Sequence, residues 1–443
     1  MSQSAPHQAA SGTELIHDPQ TFVSGAPLET LARLRKGNPV AWVEEPATKE
    51  LPAGPGYWLI LRHGDVQSVL RDPATFSSAT GATQVRDPAT PADLTYVQRM
   101  MLNMDPPEHS RLRRPLQKSF TVRAVTRLEE QIEAHVSGIL DRALVGAGAA
   151  LDFAKDIAAD LPLLTLADVL GVPPEDRRLM FDWSNRVIGF QDPDYAASAQ
   201  FDPAAGTEMA RAALALRPVR GPDGRMPDPR SRRGMLDLYE YAHLLGEYKR
   251  AAPGTDVMSI LMNQPEESIS VEEFENMFWL FAVAGNETLR NGLPGGMFAL
   301  LAHPEAQRAL RADPTKIDVG VEEMLRWWTP VMVFRRTATV DTSLGGVAIS
   351  AGEKVVVSFL SANHDESVFD SPDQFKLDRT DNDHLVFGYG PHFCLGSHLA
   401  RVQMRTMFRQ LLARTSWIES AGEPALLRSS FQRGIKRLPV RWN

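Results

Sequence analysis

One cysteine occurs in a chain of 443 residues, and that alone removes several ways of holding a protein together. Cys394 has no partner for an internal disulfide and cannot by itself supply an iron–sulfur cluster or a structural zinc site. The fold must therefore rest on a hydrophobic core. A composition of 43% hydrophobic and 23% charged residues supplies one, as in an ordinary globular enzyme. The formal charge of −8 argues against nucleic acid as a partner. The unpaired thiol fits a reducing, cytoplasmic compartment. Met1 to Thr13 is polar and holds no apolar run of the kind a signal peptide or membrane anchor needs. These features lead to a disordered tail over 1–18, one domain over 19–443, no membrane anchor and a monomer.

Helical periodicity dominates, over 124–143, 153–170, 271–301, 319–328 and 399–412. Short β-rich runs lie at 57–61, 336–340, 347–349 and 354–358, the later ones separated by Gly345-Gly346 and Ala351-Gly352. The expectation is a mainly α fold with small β-sheets. Residues 217–233 contain six arginines, four prolines and two glycines, which excludes a regular helix or strand there.

Cys394 sits in Phe387-Gly388-Tyr389-Gly390-Pro391-His392-Phe393-Cys394-Leu395-Gly396, just before an amphipathic run. A cysteine near a helix start faces unpaired N–H groups and the positive end of the helix dipole, so thiolate is expected. Gly388, Gly390 and Gly396 would let backbone pass close to a flat cofactor. Upstream, Ser270 and Glu273 form a capping-box pattern that starts a long helix. Its middle reads Phe281-Ala282-Val283-Ala284-Gly285-Asn286-Glu287-Thr288-Leu289-Arg290. An acid beside a hydroxyl is unusual in so apolar a segment, and Thr can bond back to a carbonyl one turn earlier. Pro294-Gly295-Gly296 should kink or loosen the same helix. Glu323 and Arg326, three apart, share a helix face.

The decapeptide around Cys394 resembles the haem-binding signature of the cytochrome P450 family, Phe-Gly-x-Gly-x-His-x-Cys-x-Gly, at every fixed position. Ala284-Gly285-Asn286-Glu287-Thr288 is similar to the family's oxygen-side element, and Glu323-Met324-Leu325-Arg326 to its Glu-x-x-Arg signature. Met104 to Arg113 is similar to its segment entering the helix beside haem. The likeness runs from about Ala26 to Val440, with the motifs in the family's order. It implies the prism fold of that family and haem b with Cys394 as the iron ligand. Ala284, Gly285, Phe387, Gly388 and Gly396 would lie against the macrocycle, and His109, Arg113, Arg336 and His392 would meet the propionates. Thr288 would hold the proton-donating water beside bound dioxygen and Glu287 would relay protons from bulk water. Glu323, Arg326 and Arg379 would be structural, as would His384. Arg111, Arg114 and Arg405 would form a basic patch for an electron donor.

The absence of an anchor helix points to the soluble bacterial type. Such enzymes take O2 as co-substrate and electrons from NAD(P)H through a ferredoxin and ferredoxin reductase. Residues 217–233 match the region that lids the substrate channel. Met101, Val283, Val331, Met332, Val333, Phe334 and Phe431 are the expected substrate-binding wall. A hydrophobic substrate follows, a steroid, terpenoid or branched lipid, to be hydroxylated or O-dealkylated. A small aromatic or aryl ether, a peroxide-driven peroxygenase and a non-catalytic haem sensor stand as alternatives.

Overall fold

The computed structural model describes residues 7–443 apart from 48–51, 147, 199–200, 223, 225 and 264–268. The structure is mainly helical with four small sheets among the described residues. The largest sheet orders its strands Val40–Val43, Tyr57–Ile60, Lys354–Ser358, Val333–Ala338 and Phe76–Ser77. Lys354–Ser358 is buried at every position, which explains its unbroken apolar run. It pairs parallel with Tyr57–Ile60 and antiparallel with Val333–Ala338.

Val271–Ala302 forms the central helix and opens on the capping box of Ser270 and Glu273. It continues as a helix through Pro294. The two glycines that follow serve packing: a Cβ on Gly295 would fall 2.1 Å from Trp328, and one on Gly296 would fall 2.9 Å from Met324 and Phe408. Gly292 likewise lies against Met404 of the helix Ser397–Arg414. Residue pairs 292/404 and 296/408 keep the same offset, so the two helices run in one direction.

Three expectations differ locally. The run 124–143 divides into Val122–Thr126 and Glu129–Ala143, and 153–170 into a π-turn at Phe153–Ile157 and a helix at Asp160–Leu170. Residues 1–6 of the expected tail lie outside the described residues. Within 7–18 the chain is packed rather than free: Thr13–His17 is a helix with Thr13 and Ile16 buried. His7 lies against Trp42 and Trp58, with ring centroids 4.2 and 4.7 Å away. No helix among the described residues is long and apolar enough to cross a membrane.

Candidate active site

The cysteine loop is shaped by its glycines. Gly388 and Gly390 sit at φ +72° and +69°, and a Cβ on Gly390 would fall 2.5 Å from the Leu70 carbonyl oxygen. Cys394 N–H donates to the Phe387 carbonyl at 2.8 Å, closing the loop, and Arg401 rests 4.3 Å over the Phe387 ring. Cys394 is accessible although protein surrounds it, as a residue on an internal cleft would be. Burial pushes its thiol up, and the Gly396 N–H with Arg113 and Arg401 only partly offsets this. The helix start does contribute in the expected sense, through the Gly396 N–H. Cys394 lies two residues before the N-cap, Gly396, and desolvation prevails there. A bound metal cation would supply the missing stabilisation, since a coordinating thiol is deprotonated outright.

On the central helix, Ala284 and Gly285 are exposed while Phe281–Val283 and Asn286–Glu287 on either side of them are buried. Thr288 Oγ1 donates to the Ala284 carbonyl at 2.9 Å, the back-bond anticipated from sequence. Gly285 has a packing reason as well, for a Cβ there would lie 2.9 Å from Leu166. Glu287 differs from expectation. It is fully buried and accepts from Ser184 Oγ at 2.6 Å, Tyr195 OH at 2.7 Å and Arg290 at 2.9 Å. With no exposed surface and three donors in place, it has no direct path to bulk water.

His109, Arg113, Arg336 and His392 gather beside the loop, the two imidazoles 4.2 Å apart. Neither arginine has an ion pair among the described residues. Arg336 is buried and donates only to the Arg335 carbonyl, and Arg113 donates to the Phe393 carbonyl. His109 Nε2 is buried without a partner. His392 Nε2 is held by the Met104 carbonyl and Ser78. The adjacent carboxylate, Asp105, is taken up by Ser77 and the Ser78 N–H. Burial depresses Arg336 to about 10 and, with Arg113, depresses His109 to about 4. Cationic donors desolvated without an anion fit the seat of a dianionic group such as the haem propionates.

Glu323 and Arg326 are both completely buried, joined by two 2.7 Å bonds, with Arg379 3.1 Å from the same carboxylate. Arg326 also donates to the carbonyls of Asn363, Pro372 and Gln374, so one guanidinium ties a helix to a long loop. His384 is paired with Glu322 at 3.1 Å, in keeping with a structural role. Arg111 is tied to Glu108 and Glu273 and is not a free member of a basic patch. Arg405 is 3.4 Å from Asp318, while Arg114 is exposed.

A cavity of about 460 Å³ reaches Ala284 and Thr288 and is walled by Leu280, Val283, Val331, Val333, Phe334 and Phe431. Met101 and Met332 are not part of that wall. Met101 is buried in the main core and the neighbouring Leu102 faces the cavity instead. Met332 packs with Val356 and Leu360 behind the sheet.

The family model for cytochrome P450 matches residues 317–439. A steroid C26-monooxygenase of Mycolicibacterium smegmatis is 35% identical over 424 residues, 94% of this chain and 90% of that relative. The chain belongs to the cytochrome P450 family. Linalool 8-monooxygenase of Pseudomonas putida is 31% identical over 433 residues, spanning 96% of this chain and 98% of its own. Among solved structures, a Mycobacterium marinum cytochrome P450 in complex with pseudoionone superimposes with a TM-score of 0.84. It is 32% identical and covers 99% of this chain and 100% of its own. The protein is thus a P450 enzyme with the P450 fold, and its family implies haem bound through a cysteine thiolate, with dioxygen as reactant.

Sequence reasoning missed one part of the P450 cavity lining, where Arg86, Phe190, Asp228 and Arg230 meet. Only the arginine-rich composition of 217–233 signalled it. That segment is pinned at its ends by Arg217 on Asp182, 2.6 Å, and Arg232 near Glu275, 3.6 Å.

Proposed function

We propose that Cys394 ligates haem b, with the propionates against His109, Arg113, Arg336 and His392, and that the enzyme hydroxylates a hydrophobic small molecule. The observation that carries this reading is the cavity lining. Hydrocarbon side chains line it together with Ala284 and Thr288, and Ala284 and Gly285 are exposed in a largely buried helix stretch. Thiolate-bound haem supplies activation of dioxygen, with two electrons and two protons consumed as one oxygen atom enters the substrate. The remaining work belongs to the chain. Leu280, Val283, Val331, Phe334 and Phe431 exclude water and orient an apolar ligand by shape. Thr288 donates to Ala284 and keeps its lone pairs free, so it can hold a proton-donating water at the reacting end. Glu287 stands behind it as a positioning residue, releasing a proton only by exchanging one of its three bonds.

Electrons come from a ferredoxin and its NAD(P)H-dependent reductase. Exposed Arg114, on the helix that carries Arg113 to the cysteine loop, offers a contact of the right sign. The substrate class is terpenoid, steroid or branched lipid. The names of relatives acting on steroids and linalool support it, as does a cavity roomier than a small aryl ether needs. The test is to add terpenoids, steroids and aryl ethers to the ferric protein, following the low-spin to high-spin shift. Product is then compared between ferredoxin, reductase and NADH together and hydrogen peroxide alone. Shifts and product from the first two classes with the reductase chain support the reading. Product from peroxide alone would favour a peroxygenase, and shifts without product a sensor.

A further inference from the structure

The cavity lining is chemically mixed. Beside the hydrocarbon side chains that line it with Ala284 and Thr288 stand Arg86, Asp228 and Arg230. The two arginines share one carboxylate. Arg86 forms a short hydrogen-bonded ion pair with Asp228, while Arg230 Nε lies 3.5 Å from the other carboxylate oxygen without a hydrogen bond. Asp93, the other acid acting on Asp228, makes no ion pair with either arginine. Both guanidiniums rest on the Phe190 ring, at 4.2 Å for Arg86 and 5.2 Å for Arg230, which fixes their planes. The neighbouring charges are matched two against two, since Lys354 bridges Glu45 and Asp87 at 2.7 Å each and Arg335 pairs with Asp87 at 2.5 Å.

Arg230 therefore has donors to spare. Its side chain is 20% exposed, it lines the cavity, and its guanidinium makes no hydrogen bond among the described residues. Two guanidiniums against one carboxylate leave a surplus positive charge facing a partly desolvated space. A carboxylate is the group that satisfies a planar fork of N–H donors. We propose that Arg230 anchors an anionic end group of the substrate. Preferred substrates would then be apolar molecules bearing a carboxylate. This rests on reading the cavity as the substrate site, and it adds a polarity to it. The arginine-rich strap 217–233 is then a recognition element as well as a cover, because it delivers Arg230 to the wall.

The test uses the ferric holoenzyme and one skeleton in three forms: citronellic acid, methyl citronellate and citronellol, each titrated by the spin-state shift. The wild type is expected to bind the acid about tenfold tighter than the ester. In Arg230→Gln that preference should vanish while ester affinity stays unchanged, and Arg230→Lys should keep part of it. An unaltered reduced-carbonyl spectrum in each variant shows that the haem site is intact. Equal affinity for acid and ester in the wild type, or a preference surviving in Arg230→Gln, would overturn the anchor while leaving the monooxygenase reading standing. No shift with any of the three overturns the anchor, and the monooxygenase reading falls separately if the wider panel and the reductase chain also give neither shift nor product.

Discussion

Replacing Glu287 by Gln removes one charge and almost no volume from the centre of the enzyme. The partner left behind is Arg290, whose side chain is 12% exposed and lies over Phe181 and Tyr195 at 4.4 and 4.8 Å. Arg290 also donates to Asn185, so in the variant it would face neutral acceptors only. A hydrogen bond to a charged group contributes about 1.5–3 kcal/mol, so Glu287→Gln should cost about 2–3 kcal/mol of stability. Glu287→Ala, which strips the guanidinium of that partner altogether, should cost about 3–5 kcal/mol. Urea unfolding of the holoenzyme, followed by tryptophan fluorescence, measures both. Adding Arg290→Met to Glu287→Gln should recover more than about 1 kcal/mol, because the unpaired charge goes with it. A Glu287→Gln protein as stable as wild type but unable to turn over would refute the positioning role and restore Glu287 as a mobile proton carrier.

Thr288→Ala should lower product formed per NADH about tenfold or more while hydrogen peroxide release rises; equal product yield in both proteins would reject its role in proton delivery. Arg336→Leu should weaken haem retention about tenfold or more, measured as transfer to apomyoglobin, because a buried donor to a propionate is lost. Burial pushes the Glu322 carboxyl up, but bonds from His384 and Arg401 outweigh it and hold it down at about 2. A depressed acid stabilises the fold above its unfolded value and loses that contribution as pH falls toward the folded value. Stability should therefore drop between pH ~4.5 and ~2 by on the order of 2 kcal/mol more in wild type than in Glu322→Gln, read from unfolding midpoints across that range.

Much of this architecture was legible because it is local. The capping box at Ser270 and Glu273 announces the central helix, and the three-residue spacing of Glu323 and Arg326 announces their pair. Gly388 and Gly390 announce a loop that turns through positive φ. Residues whose roles depend on distant partners were not legible. Ser184 and Tyr195 reach Glu287 from about a hundred residues away in sequence, and nothing near Glu287 indicates that its carboxylate will be sealed. Arg86 and Asp228 lie in unrelated segments that meet only over the cavity. Met101 and Met332 were placed on the cavity wall because apolar residues near a site look alike in sequence. Only the fold decides which of two neighbours, Met101 or Leu102, faces the ligand.

Ligation of iron by Cys394 is tested most directly by the absorption spectrum of the dithionite-reduced carbonyl complex, recorded for wild type and Cys394→Ser. Wild type should give the red-shifted Soret band of thiolate ligation and the serine variant should lack it. A wild-type spectrum of the nitrogen-ligated kind, or an identical band in both proteins, would contradict the account.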